Sequence, residues 1–595
     1  MKQFFKFFLA SLLALVVAGV IFFAVFFGII GSIASSFTTN SADVQSQIKA
    51  NSILHIDLRN PMHEIGESNS LALFTGGKSQ SLGLLQALRS IEKAKTDDKI
   101  KGIYLKAGGN SFGLASAQQI REALADFKSS GKFIYAYADF FSQSDYFLAS
   151  VADSVFLNPL GMVELKGLSS NLVFFKGALD KLDVQPQIFY CGQFKSATEP
   201  FRLDKMSEPN RKQLAALHKD VWASMLLAFS SHTGADTATI NTWVKQGTIQ
   251  SAGDAIRYKL VEGLKYKDEI EDILRRQTDT KAEDKVPFIS LNDYAQSISR
   301  GTADNKIAVL VAEGEIIDGT ANSGYQIASE DFIKEIRKVK DDKKVKAVVL
   351  RVNSPGGSAL ASEVILRELQ LLKMEKPIVV SMGDLAASGG YYISCQADSI
   401  FALPSTITGS IGVFGMMFNT QKFFNEKLGV TFDVEKNAPY ADFPNLNRDM
   451  TDVEKQFIQN SVDTIYAIFK SRVAKGRKME VAYVDSIGQG RIWTGVAALE
   501  NGLVDALGGM DRALASAAAL AKIEDYRVVT YPAMEDKFEK MMRSLSNNST
   551  SQMVMAEQFL EQELGKDYRW FRILRNMQEQ KNHLWMMLPY IPEVR

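Results

Sequence analysis

The residues best suited to covalent chemistry lie at 383–397, GDLAASGGYYISCQA, and the serine among them, Ser388, is the candidate nucleophile. The apolar run Pro377–Met382 before it reads as a buried strand, and helix-compatible spacing resumes from Tyr391. A serine at a strand-to-helix turn exposes its hydroxyl beside a free backbone N–H, as a nucleophile and its oxyanion donor require. Its hydroxyl also needs a base. The histidines are His55, His63, His218, His232 and His583, with none from 233 to 582, so a triad would have to borrow one from outside that half. The alternative is a lysine whose pKa burial has pulled below its usual value of about 10.4. Lys195 stands apart from the surface lysines, because it follows an apolar strand and sits among Phe189, Tyr190, Phe194 and Phe201.

The elements that must position these residues come in two sets. Strands are predicted at Ile53–Leu58, Ile100–Leu105 and Phe133–Tyr137, with helices at Ser81–Ala94 and Ala117–Phe127 between them. That alternation argues a mostly parallel α/β layer structure. The second half repeats the first at an offset of 245: Asp97, Lys99, Lys101 and Leu105 match Asp342, Lys344, Lys346 and Leu350. Further on, Tyr146 matches Tyr391, Ala152-Asp153-Ser154 match Ala397-Asp398-Ser399, and Pro159 matches Pro404. A period of this length indicates a duplicated domain rather than a solenoid. The copies differ where chemistry is expected. Ser388 faces Gln143, the turn Asn353–Gly357 faces Gly108–Phe112, and Lys195 faces Tyr440. One half has the serine without this lysine and the other the lysine without the serine, as expected of one site built across both.

Composition bounds the alternatives. With 595 residues, 46% hydrophobic and 23% charged, the chain is globular and long enough for several domains. Lys plus Arg equals Asp plus Glu at 68 each, so no net field recruits nucleic acid. Cys191 and Cys395 make neither a metal cluster nor a disulfide framework, and no phosphate loop of the GxxxxGK[ST] kind is present. From Phe7 to Ile30 run 24 uncharged, largely apolar residues, enough to span a hydrocarbon core of about 30 Å. Lys2 and Lys6 before it predict a cytoplasmic N-terminus with the remainder across the membrane. A cleaved signal peptide ending near Gly31–Ser36 is the competing reading. The expected organisation is an anchor and linker at 1–43, repeats at 44–302 and 303–535, and a helical tail at 536–595.

Taken together, GQFKSATEPF (192–201), VNSPGGS (352–358), GDLAASGGYYIS (383–394), PSTITGSIGVFG (404–415) and GRIWTGVAALENGLVD (490–505) resemble the signal peptide peptidase A, or protease IV, family. The resemblance is to its long, duplicated form, among the serine–lysine peptidases of family S49, and it covers nearly the whole chain. It implies tandem α/β domains of the crotonase/Clp-protease type after a single N-terminal transmembrane helix. It also implies an endopeptidase that degrades released signal peptides without a cofactor, and a homotetramer at the bacterial inner membrane facing the periplasm. By the same resemblance Ser388 is the nucleophile, Lys195 the general base, and Ser410 the hydroxyl that orients the lysine. Gly389, Gly356 and Gly357 are the oxyanion candidates, since glycine lets backbone approach a scissile carbonyl closely. Side-chain pockets are expected to be apolar and small, with Ile411–Phe418 as candidate lining. Two other readings are an acyl-CoA enzyme of crotonase type and an inactive membrane scaffold of the same fold.

Overall fold

The computed structural model describes residues 17, 48–60, 62–68, 80–110, 112–298, 301–321, 325–534 and 584–587. The Phe7–Ile30 run lies outside the described residues except for Val17, and no described helix is long and apolar enough to cross a membrane. The helical reading of 536–595 also lies outside them, except at Leu584–Met587, which form a strand.

Each half builds a sheet with the same strand order. In the first, Gly263–Leu264, Ser154–Leu157, Phe133–Ala138, Ile100–Lys106, Ser52–Asp57 and Phe288–Ser290 lie side by side, all parallel. In the second, Ala506–Leu507, Ser399–Ala402, Ile378–Ala387, Val345–Ser354, Lys306–Glu313 and Arg527–Tyr531 repeat that order. Central strands such as Val345–Ser354 read as near-continuous apolar runs because helices bury both faces of a parallel sheet. The copies also share buried polar contacts. Lys132 Nζ donates to the carbonyls of Ala94 and Asp97, and Lys376 Nζ donates to those of Val339 and Asp342.

Two departures from the repeat create the site. The strand equivalent to Phe133–Ala138 is longer in the second half, Ile378–Ala387, and its extension pairs with an extra strand, Ile407–Gly409. Ser388 follows directly. A third sheet then draws on both halves, in the order Gln326–Ala328, Glu315–Ile317, Gly356–Ser358, Leu584–Met587, Phe414–Asn419 and Gln185–Tyr190. Its last pair is antiparallel, with Tyr190 opposite Phe414, and it carries the chain after Tyr190 into the second half. A buried polar seam fixes the halves elsewhere. Arg351 donates through two guanidinium nitrogens to Glu64, each at 2.9 Å, and Asp384 accepts from Ser116 N–H at 2.9 Å and its hydroxyl at 2.5 Å. Asp384 lies on the strand that leads into Ser388, four residues before it, so the seam bears on the site.

Candidate active site

Ser388 caps the N-terminus of the short helix Gly389–Ser394 with φ 55° and ψ −113°. A non-glycine residue held there costs on the order of 1–3 kcal/mol, and such strain persists only where neighbours enforce it. Here the enforcement is a hydrogen bond from Ser388 N–H to Gly409 O at 2.8 Å and one from Tyr392 N–H to Ser388 O at 2.8 Å. The sharp turn aims the hydroxyl away from the helix and toward the first half. Ser410 also has a positive φ, 52°, and its N–H is held by Arg491 O at 2.8 Å.

Lys195 arrives from the other side, on the loop after Gln185–Tyr190. Its Nζ lies 3.1 Å from Ser388 Oγ, 3.1 Å from Ser410 Oγ and 3.4 Å from the Ser410 carbonyl oxygen. The side chain is 1% exposed, with the Phe414 ring centroid 6.0 Å from the nitrogen. Burial alone pulls the amine down to about 7, with no neighbouring carboxylate to hold the proton. A lysine at that pKa offers a lone pair near neutral pH, directed at two hydroxyls. None of the four described histidines takes that place. His55 stacks on Tyr104, His63 meets Glu313, His218 meets Ser170 Oγ, and His232 lies near Glu262.

The glycine candidates also converge. A Cβ on Gly356 (φ 98°) would fall 2.0 Å from Met586 O and 2.6 Å from Gly389 N, so the backbone there passes close by in a way only glycine permits. Gly356 N–H already donates to Ser354 Oγ at 3.1 Å, which leaves Gly389 and Gly357 as the turn's candidates for an oxyanion. The first half has closed the corresponding corner. There the buried Asp145 carboxylate accepts the N–H groups of Gly109 at 2.9 Å and Asn110 at 3.1 Å. A fixed side-chain anion thus takes up backbone donors in the copy that lacks a nucleophile.

Three supports are not legible as such in the sequence. Gly490 (φ 76°) lies against Lys195, and a Cβ there would come 2.6 Å from the Lys195 Cβ. Gln213, 2% exposed, donates to Phe194 O and Ser196 Oγ on either side of Lys195 and accepts from Ile492 N–H, next to the Arg491 carbonyl that holds Ser410. The third is the strand Leu584–Met587, which runs antiparallel to Gly356–Ser358 and to Phe414–Gly415, along the cleft itself. Gly490 falls within a motif quoted above, but only the fold reveals that it faces the lysine. Of the Ile411–Phe418 lining, Phe414 and Met416 are buried against Met587. Among the described residues no cluster of His, Cys, Asp and Glu is arranged to hold a metal.

Comparison with known proteins identifies the family. The model of peptidase family S49 matches at 126–281 and again at 370–524, stretches that begin 244 residues apart and so repeat the internal period. Protease 4 of Salmonella typhi is 36% identical over 504 residues, covering 83% of this chain and 81% of that protein. A putative signal peptide peptidase SppA of Enterococcus faecium is 38% identical over 251 residues, 42% of this chain and 73% of its own. Among solved structures, a ClpP1 mutant from Listeria monocytogenes overlaps with a TM-score of 0.24 at 13% identity, over 35% of this chain and 94% of that one, too loosely to carry weight. The α/β halves, the twofold match and the long relative agree: the chain belongs to peptidase family S49 and is a serine protease with its family domain in duplicate.

Proposed function

We propose that this serine protease works through a Ser388–Lys195 dyad assembled across its two repeats, and that its substrates are released signal peptides. The observation that carries the dyad is the uncharged surrounding of Lys195 Nζ, 3.1 Å from both Ser388 Oγ and Ser410 Oγ. In the first step the Ser388 oxygen attacks a peptide carbonyl while Lys195 takes its proton. Ser410 accepts or donates a hydrogen bond that keeps the amine aimed at Ser388. Gly389 N–H, with the Gly356–Gly357 turn, stabilises the tetrahedral oxyanion. Lys195 then protonates the leaving amine, and water attacking the acyl-enzyme by the same route frees Ser388.

The same reading holds that each repeat has the crotonase/Clp-protease architecture. It also places an anchor at Phe7–Ile30 in the bacterial inner membrane, the catalytic mass on the periplasmic side, and four copies in a homotetramer. Apolar substrates suit this cleft, since Met586 and Met587 are both buried where a peptide strand lies. A serine-directed activity probe tests the dyad. Labelling and peptide hydrolysis should be lost in Ser388→Ala and in Lys195→Ala. Labelling that survives Lys195→Ala would refute that base assignment, while cleavage that survives Ser388→Ala would remove the nucleophile. Protease accessibility in intact spheroplasts tests the orientation, and cross-linking of the purified protein tests the tetramer.

A further inference from the structure

Just before the nucleophile turn, the strand Ile378–Ala387 slips out of register with its neighbour. Its ladder with Val345–Ser354 pairs Val352 with Met382 and then Ser354 with Ala386, so Gly383, Asp384 and Leu385 stand against Asn353 alone. From Leu385 onward the strand also pairs with Ile407–Gly409, and Ser388 follows at its end. A bulge of this kind bends its strand and re-aims what comes next. The ladder is interrupted there, so side chains must set the position of the bulge. Asn353 Oδ1 accepts Leu385 N–H at 3.1 Å, and the Thr406 hydroxyl donates to Gly383 O at 2.8 Å, both within the second half. Asp384 instead reaches across to the first half.

Its partner is the N-terminus of the helix Leu114–Lys128, and the two copies of this helix start differently. In the second half Ser358 caps Ala359–Lys373 by accepting Ala361 N–H at 3.2 Å. At the repeat offset of 245 the first half has Gly113 for Ser358 and Ser116 for Ala361, and Gly113 has no side chain to cap with. Asp384 supplies the missing cap, accepting Ser116 N–H at 2.9 Å and its hydroxyl at 2.5 Å. The unpaired N–H groups and the dipole of a helix start both favour a carboxylate there. A Cβ on Gly113 would fall 2.1 Å from Asp384 Cγ, so the glycine is what leaves room for it. Arg351 adds a hold just before the bulge. One of its nitrogens donates to Ser381 Oγ at 3.0 Å and Met382 O at 3.1 Å, while the others are fixed by Glu64 of the first half.

We propose that Asp384 is a positioning residue for proteolysis: by pinning the bulge to the first repeat's helix, it sets where the Ser388 hydroxyl stands relative to Lys195. The first repeat then places both members of the dyad, the base through its own loop and the nucleophile through this helix. The proposal rests on Ser388 as nucleophile. In the full-length protein Asp384→Ala should lower kcat by about tenfold or more with KM changed less than about twofold, because a nucleophile displaced by about 1 Å still meets bound peptide but reacts slowly. The acid limb of the pH–rate profile should keep its midpoint near 7, since the surroundings of Lys195 are untouched. Two further variants separate positioning from helix capping. Asp384→Ala with Gly113→Ser gives the helix the cap its copy has, at backbone angles (φ −65°, ψ 160°) that suit a capping serine, and kcat should stay low. Glu122→Gly, at an exposed position of the same helix, should lower the melting temperature and leave kcat at the parent's value. All rates are taken well below the melting temperatures, so unfolding does not enter. The proposal is overturned by parental kcat in Asp384→Ala, by a kcat that returns with the serine, or by an equal loss in Glu122→Gly. An acid limb that moves also overturns it, because the carboxylate would then act on Lys195 through its charge. Hydrolysis that persists in Ser388→Ala would instead overturn the reading on which it rests.

Discussion

The low pKa of Lys195 is a statement about stability as well as about catalysis, and Lys195→Met exposes it. In the native chain the amine titrates at about 7, against about 10.4 for a lysine in an unfolded chain. Below pH 7 it is charged in both states, and the native state bears the whole cost of burying that charge, on the order of 5 kcal/mol at about 1.4 kcal/mol per unit. Above pH 7 the native state loses its proton before the unfolded state does, so stability rises with pH until about pH 10. Methionine of similar length removes that cost, but it leaves the Ser388 and Ser410 hydroxyls without their nitrogen partner, at roughly 1–3 kcal/mol. Lys195→Met should therefore be more stable than the parent at pH 6 by about 2–3 kcal/mol. By pH 9 the parent has regained about 3 kcal/mol, and the advantage should have vanished. Urea unfolding of both proteins at pH 6 and pH 9 measures this. A stability difference that stays constant across that interval would refute the reasoning. The linkage is more telling than a pH–rate profile. The acid limb of kcat/KM should have its midpoint near 7, which a histidine near 6.5 would imitate. Only the lysine makes the stability difference between parent and Lys195→Met change with pH across this interval.

Two further outcomes follow from contacts around the same site. Gly490→Ala should lower kcat by about tenfold or more, because a Cβ 2.6 Å from that of Lys195 must push the lysine stem off line. Its positive φ adds roughly 1 kcal/mol of destabilisation, read as a drop in melting temperature, and full activity in this variant would show that the lysine tolerates displacement. Met586→Asp should drive the tail strand out of the cleft, since an unpaired carboxylate would have to be buried where Met586 is 0% exposed. If the tail fills the cleft nine parts in ten, KM for peptides should fall by about tenfold with kcat unchanged. An unchanged KM would mean that the tail does not compete.

Much of the fold and part of the site were legible in the sequence, and the division between what was and was not is physical. Sheet strands such as Ile100–Lys106 and helices such as Leu114–Lys128 are local, so periodicity places them to within a few residues. The duplication was legible because the copies kept the same residues for the same contacts, Asp97 and Asp342 each accepting the N–H two residues on, from Lys99 and Lys344. The extension of the Ile378 strand to Ala387 was not, because Gly383 and the small residues around it signal a turn. What holds them extended is pairing with Ile407–Gly409, which lies downstream. Leu584–Met587 likewise takes strand form only by inserting between two edges far away in the chain.

The division of the site explains why the base was the harder residue to read. Ser388 owes its position to a turn within a few residues of itself, so its surroundings in sequence resemble its surroundings in space. Lys195 owes its position to the pairing of Gln185–Tyr190 with Phe414–Asn419, to Gly490 beneath it and to Gln213 beside it. No stretch of sequence around residue 195 contains the second-half groups among these. A buried amine needs surroundings that keep carboxylates and water away, and here both repeats contribute them. Splitting the pair lets one copy supply the strained serine and the other an apolar loop, each folded for one task. Asp145 shows the consequence for the spare corner. In the first half a carboxylate takes up the donors of Gly109 and Asn110, and that copy serves as scaffold for the lysine.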